Sequence, residues 1–221
     1  MIVKKFRWTL LALVLAVLSS WLFAGKVQAA DEINNDVATA IFAGGCFWCM
    51  EPPFDKLVGV IATTSGYTGG HTNYPTYKQV SSDTTGHFEA IEVSYDLNKI
   101  DYATLLNVFW HNVDPLDGKG QFCDKGSSYR AAIFYQNEEQ RKLANKSLRE
   151  LTESTYFEDP IVTEILPAKT FFPAEEYHQD YYQKNALRYK YYRFACGRDA
   201  RLEELWKNVA EESATLIPTV E

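Results

Sequence analysis

Three observations predict a two-layer domain of the α/β or α+β class. Strand-like apolar runs and segments of helical period alternate along the chain. Neither an internal repeat nor a low-complexity segment interrupts them. With an N-terminal leader set aside, about 190 residues remain, which suits one domain with a sizeable core.

The leader is read from "MIVKKFRWTLLALVLAVLSSWLFAGKVQAADE". Lys4, Lys5 and Arg7 form a basic start, an apolar run spans Trp8 to Ala24, and small residues close it. Val27 and Ala29 fit the −3 and −1 positions of a signal-peptidase site, so cleavage after Ala29 is expected. The alternative is an uncleaved anchor, because the run approaches the length that spans a bilayer. Residues 1–29 are therefore expected to be a signal peptide, 30–37 a flexible lead-in, 38–213 a single domain and 214–221 a tail. The expected location is exported: periplasmic or otherwise extracytoplasmic. The chain carries 22 Lys+Arg against 29 Asp+Glu, and the leader holds four of the bases (Lys4, Lys5, Arg7, Lys26) and none of the acids. The mature chain thus has 18 bases against 29 acids, a net charge near −11. That balance argues against a nucleic-acid partner.

The elements follow in order. "VATAIFAGG" reads as a short buried strand whose glycines allow a tight turn into a helix. "CFWCMEPPFDKL" begins that helix, with Pro52 and Pro53 tolerable only in its first turns. "VIATTSGYTGG" is a strand running into a glycine loop, and "NYPTYKQVSSDTTG" a short helix and turn. "HFEAIEVSYD" is a strand with Ile91, Val93 and Tyr95 on one face. "DYATLLNVFWHNV" has a helical period at Tyr102, Leu105, Leu106, Phe109 and Val113, with Asp101 as N-cap. Residues 114–128 form a long loop rich in Gly, Asp and Pro, of a kind often functional. "YRAAIFYQ" is a strand. "NEEQRKLANKSLRELTEST" is a helix with Asn137 and Gln140 placed for a capping box. "IVTEILPA" is another strand, and from "FPAEEYHQDYYQKN" to "RLEELWKNVAEES" the chain is helical and aromatic.

Four cysteines, Cys46, Cys49, Cys123 and Cys196, pose the chemical question. In an exported protein they suggest two structural disulfides. A Cys-x-x-Cys pair, however, closes too small a loop to stabilise much, and such pairs are more often catalytic or metal-binding. Cys46 falls at the start of a predicted helix, where free N–H groups and the macrodipole favour a thiolate. The plain alternative is an inert thiol buried after a core strand. A four-cysteine zinc site would need Cys123 and Cys196 to converge on the pair. "HFE" at 87–89 parallels the His-x-Glu of zinc deaminases, yet their cysteines follow that motif behind a proline and these precede it; no metal is expected. A thioredoxin-like redox pair fits Cys-x-x-Cys at a helix start. Against it stand the bulk of Phe47 and Trp48 between the thiols and a second polar cluster, Tyr77, Glu89, Asp124 and Tyr129, that a simple dithiol does not need. Glu89 has apolar strand neighbours. Buried against aromatics it would become a proton donor near neutral pH; an ordinary strand carboxylate would face solvent. A non-catalytic module whose aromatics grip peptide or sugar is the further alternative.

Long blocks in register narrow the choice. "GGCFW", "GVIATTSGYTGG", "YPTYKQV", "TGHFEAIEVSYD", "LLNVFWHNVDP", "GSSYRAAIFY" and "FFPAEEYHQDYY" cover roughly residues 38–193. Together they resemble the A-type peptide methionine sulfoxide reductases. The resemblance implies a two-layer α+β sandwich with a mixed sheet of ferredoxin-like kind. It implies reduction of methionine-S-sulfoxide, protein-bound or as the free amino acid, through a cysteine sulfenic acid and then a disulfide. No bound cofactor is implied; an external dithiol such as thioredoxin recycles the disulfide, and the partners are oxidised proteins or peptides, with the enzyme working as a monomer. By position, Cys46 matches the nucleophile, Phe47 and Trp48 the cradle for the substrate methyl, and Glu89 the acid that protonates the sulfoxide oxygen. Tyr77 and Tyr129 match the hydroxyls that hydrogen-bond that oxygen, and Asp124 a carboxylate that orients the site. The sequence departs from the common pattern at Cys49, where Gly is frequent, at Cys123, and in lacking a glycine-rich C-terminal tail with a resolving cysteine. The resolving thiol is therefore sought among Cys196 first, by analogy with C-terminal resolving cysteines, then Cys49 and then Cys123. The remaining alternative is a general thiol–disulfide oxidoreductase using Cys46 and Cys49.

Overall fold

The computed structural model describes residues 36–154 and 156–215. The expected signal peptide, and with it the cleavage site, lies outside the described residues. Among the described residues, no helix is long and apolar enough to cross a membrane.

The strands are β1 (Val37–Gly44), β2 (Val60–Thr68), β3 (Phe88–Asp96), β4 (Gly120–Gln121), β5 (Asp124–Lys125), β6 (Ala131–Tyr135), β7 (Glu164–Pro167) and β8 (Phe172–Pro173). The helices are α1 (Phe47–Asp55), α2 (Tyr77–Ser81), α3 (Tyr102–Trp110), α4 (Glu138–Glu153), α5 (Tyr181–Lys184), α6 (Ala186–Ala195) and α7 (Arg198–Thr215). Six strands form one sheet in the order β7-β6-β1-β3-β2-β8. The central four are antiparallel, with α1 linking β1 to β2 and α3 lying between β3 and β6. This is the split β-α-β arrangement of ferredoxin-like folds. β7 joins parallel to β6, which makes the sheet mixed. The expected α+β two-layer sandwich is the fold observed.

Alternation along the strands decides which layer each side chain enters. Ala40 and Phe42 of β1 join Ile91, Val93 and Tyr95 of β3 in the main core, under α1 and α3. Phe42 stacks on Phe54 and on Phe109, each at 5.3 Å. Ile41, Ala43, Phe88 and Ala90 point the other way and pack with Phe134 under Leu166 and Phe171. The predicted helical stripe on α3 is buried throughout: Tyr102, Leu105, Leu106 and Phe109, with Val113 beyond its end. Asp101 caps α3 by accepting from the Thr104 N–H at 2.8 Å.

Four local expectations change. Pro52 and Pro53 lie past the first turn of α1. Pro53 lacks the N–H that would bond the Cys49 carbonyl, and the guanidinium of Arg193 donates to that carbonyl instead, at 3.4 Å. At the start of α4, Asn137 does accept from the Gln140 N–H, but the Gln140 side chain bonds Gln136 and Thr39 rather than closing a box. A full capping box sits at Thr76 and Gln79 instead. The 114–128 loop contains the small β4–β5 hairpin, whose two-residue strands are too short to show a period. The aromatic tail is not helical from its start, because Phe172 and Pro173 pair with Gly66 and Tyr67 as an edge strand.

Candidate active site

The site forms where β1 turns into α1. Gly45 takes a left-handed φ of 81°, and a side chain at Gly44 would strike the Met50 sulfur 2.5 Å away. This tight turn sets Cys46 at the N-cap of α1 with 7% of its surface exposed. Cys49, one turn on, is 2% exposed, and both are free thiols.

Glu89 occupies the β3 face that also carries Ile91, Val93 and Tyr95, so alternation turns it into the core. It is 1% exposed, and its Oε2 accepts from the Phe47 N–H at 3.2 Å. Burial raises its pKa to about 8, against the lowering effect of that hydrogen bond. At neutral pH it is a protonated acid at the start of α1. Tyr129 faces Glu89 and Tyr77. Burial pushes the Tyr77 hydroxyl up to about 12 and the Tyr129 hydroxyl up as well, so both are hydrogen-bond donors. Asp124 accepts from the Tyr192 hydroxyl, and burial raises its pKa. The structure thus brings Cys46, Cys49, Glu89, Tyr77, Tyr129 and Asp124 into one cluster.

The state of the thiols differs from the helix-terminus expectation. Burial, the hydrogen bond with Cys49, and the nearby Glu89 and Asp124 push the Cys46 thiol well above its ordinary value. The hydrogen bond from Cys46 draws Cys49 down to about 7 against its own burial, helped by Arg198 and Arg193. Desolvation and carboxylate proximity outweigh the free N–H groups of a helix start. Cys46 rests as the donor and Cys49 as the acceptor.

Phe47 and Trp48 project from the first turn of α1. The indole N–H of Trp48 donates to His178 Nδ1 at 3.1 Å. Tyr181 stacks flat on the Trp48 ring, centroids 3.7 Å apart at 8°. Phe47 lies 5.0 Å from the His178 ring and 6.0 Å from Tyr67. Glu175 ties the wall together, accepting from the Tyr67 hydroxyl at 2.8 Å and from the Tyr77 N–H at 2.9 Å. Asp83 supports the Tyr129 turn by accepting from the Ser128 N–H and the Ser127 hydroxyl. His87, of the "HFE" triplet, uses both ring nitrogens on backbone, at Gly70 N and Thr72 O. Sequence reading missed His178, Tyr181, Glu175, Tyr192, Arg198 and Asp83 as parts of the site. The one available signal was that "FFPAEEYHQDYY" sits among the resembling blocks with no role attached to it.

Cys196 is not near Cys46 as an open thiol. It is bonded to Cys123, with their Cα atoms 4.9 Å apart. Two of the three resolving candidates are therefore paired with each other.

Residues 38–210 match the family model described as peptide methionine sulfoxide reductase. The chain belongs to the peptide methionine sulfoxide reductase family. The peptide methionine sulfoxide reductase MsrA of Bacillus licheniformis is 53% identical over 173 residues, 78% of this chain and 96% of the relative. That of Listeria innocua is 54% identical over 174 residues, 79% of this chain and 98% of the relative. Among solved structures, reduced Mxr1 from Saccharomyces cerevisiae superposes with a TM-score of 0.65 at 30% identity, covering 73% of this chain and 91% of that one. The methionine sulfoxide reductase A of Corynebacterium diphtheriae superposes with a TM-score of 0.62 at 30% identity, covering 73% and 81%. As a member of this family the chain is an oxidoreductase that reduces peptide methionine sulfoxide through its cysteines, and the reductase has the fold of its relatives.

Proposed function

We propose that the reductase acts on methionine-S-sulfoxide through Cys46, with Glu89 as the acid and Cys49 as the resolving thiol. The observation that carries this reading is the meeting of a thiol pair, a buried protonated carboxyl and two tyrosine hydroxyls at one helix start. A sulfoxide has a polarised S–O bond and an apolar methyl. Phe47 and Trp48 cradle the methyl and favour one stereoisomer. As Cys46 attacks the sulfoxide sulfur, its proton passes to Cys49, which already accepts a hydrogen bond from it. Charge gathers on the sulfoxide oxygen, where Glu89 delivers a proton and the hydroxyls of Tyr77 and Tyr129 donate. The protonated oxygen then passes from the substrate sulfur to the Cys46 sulfur as the bond between the two sulfurs breaks, so methionine leaves as the thioether, two electrons richer, and Cys46 holds a sulfenic acid. Asp124, bonded to Tyr192, orients this side of the site.

Cys49 then attacks the Cys46 sulfur, the hydroxyl leaves with the Cys49 proton as water, and a Cys46–Cys49 disulfide forms. Cys49 replaces Cys196 as first choice because Cys196 and Cys123 are already joined. An external dithiol of thioredoxin kind takes up the oxidation and no bound cofactor takes part. We further propose that the enzyme is exported, works as a monomer, and repairs oxidised proteins or peptides there; the basic, apolar N-terminus supports that location.

Cys46→Ser should abolish turnover with the fold intact by circular dichroism; retained activity would refute the nucleophile. Cys49→Ser should still release about one methionine per chain and leave a sulfenic acid that dimedone captures. Insulin reduction at a similar rate without any sulfoxide would instead favour the general oxidoreductase.

A further inference from the structure

The Cys123–Cys196 disulfide stands at the centre of paired contacts that all lead to the nucleophile. Asp124, next to Cys123, accepts from the hydroxyl of Tyr192. Tyr192 precedes Cys196 by four residues, so one face of α6 presents both. The same hydroxyl faces the Cys46 thiol. On the other side of the bond, Phe122 precedes Cys123, and the guanidinium of Arg198 lies over its ring at 4.4 Å. Arg198 is 1% exposed. Its Nη2 donates to the Gly44 carbonyl at 3.0 Å and the Asn112 carbonyl at 2.6 Å, and lies 3.1 Å from the Met50 sulfur. Arg198 therefore clasps the turn that carries Cys46. Among the described residues no carboxylate pairs with it. Residues 122–124 and 192–198 meet nucleophile and turn through these two contacts, and the disulfide joins the two segments between them. Cys123 is exposed and Cys196 half-buried, whereas Cys46 and Cys49 are buried. The outer bond is made while the inner thiols are free.

We propose that the Cys123–Cys196 disulfide is a positioning strap: it seats Tyr192 and Arg198 against the Cys46 turn and stays outside the electron path, so that opening it slows the reductive step. Opening needs a dithiol reductant, which gives two electrons and two protons to Cys123 and Cys196 and becomes a disulfide itself. The strap makes the reaction rate respond to a bond that the reaction does not consume. The inference rests on the roles given to Cys46 and Cys49.

The test prepares two forms of the full chain: one with Cys123–Cys196 closed and Cys46 and Cys49 reduced, the other with all four thiols reduced. Alkylation and peptide mass mapping verify each form. Each is mixed with excess methionine-S-sulfoxide peptide without reductant, and the methionine burst is followed against pH. Both forms should release about one methionine per chain, with the open form slower by roughly tenfold or more and its pH profile displaced. The variant carrying both Cys123→Ser and Cys196→Ser should behave as the open form. Equal rates and profiles in the two forms would overturn the strap alone. About two methionines per chain from the open form would overturn it too, by showing that the outer pair donates electrons. No methionine from either form would overturn the Cys46 reading and the strap with it.

Discussion

Glu89 shows how a single side chain acquires its chemistry from strand alternation. It shares a face with Ile91, Val93 and Tyr95, so the fold cannot bury that face without burying the carboxyl. The face was legible in the sequence; the carboxyl's place on it runs against the ordinary preference of strand acids for water. With its pKa raised to about 8, Glu89 keeps its proton through neutrality and loses it above. The single-turnover reductive rate should therefore fall as pH rises through about 8. Glu89→Gln should remove that alkaline limb and lower the rate by roughly a hundredfold or more. An unchanged limb in the variant would assign it to another group. Glu51 is a second buried carboxyl, with its pKa raised to about 7 by burial and with Oε2 unpartnered. The folded state then binds more protons than the unfolded chain between about 4.5 and about 7, so stability falls as pH rises across that window. Glu51→Gln should be more stable to unfolding than the wild type at about pH 8, by on the order of 1–3 kcal/mol, with the gap closing toward pH 5. A gap that is flat with pH would mean that Glu51 titrates normally.

At the scale of elements, α1 delivers the chemistry and the C-terminal segments hold it still. Strand and helix periods made β1, β3 and α3 readable, and the two glycines before Cys46 marked the turn. The supports were not readable, because they join residues far apart in sequence. Trp48 and His178 are 130 residues apart, and neither shows the other in its local pattern. Edge strand β8 is two residues long, too short for a period of two to register. Tyr181 in α5 lies flat against Trp48, so Tyr181→Ala should free the indole. The expected result is a KM raised by roughly three- to tenfold with a smaller change in kcat, the size of one lost aromatic stack. A fall in kcat at constant KM would place Tyr181 in the chemical step instead.

For the whole molecule, the sulfur pairs divide into two scales of linkage. Cys46 and Cys49 span one helical turn, whereas Cys123 and Cys196 are 73 residues apart. Constraining a loop of that size in the unfolded chain contributes about 4 kcal/mol. Reductant should lower Tm by on the order of 10 °C. The chain carrying both Cys123→Ser and Cys196→Ser should melt at the temperature of the reduced wild type and ignore reductant, as differential scanning calorimetry would show. A continued response in that variant would move the effect to the inner pair.

The rims of the sheet carry a consequence of their own. Strand β7 at one margin ends in Pro167, and β8 at the other is a two-residue strand ending in Pro173. Proline offers no amide hydrogen, and short margins give an incoming chain little to copy. Among the described residues, the margins of the ferredoxin-like sheet therefore offer an incoming strand few amide hydrogens, which disfavours lateral growth without any covering element.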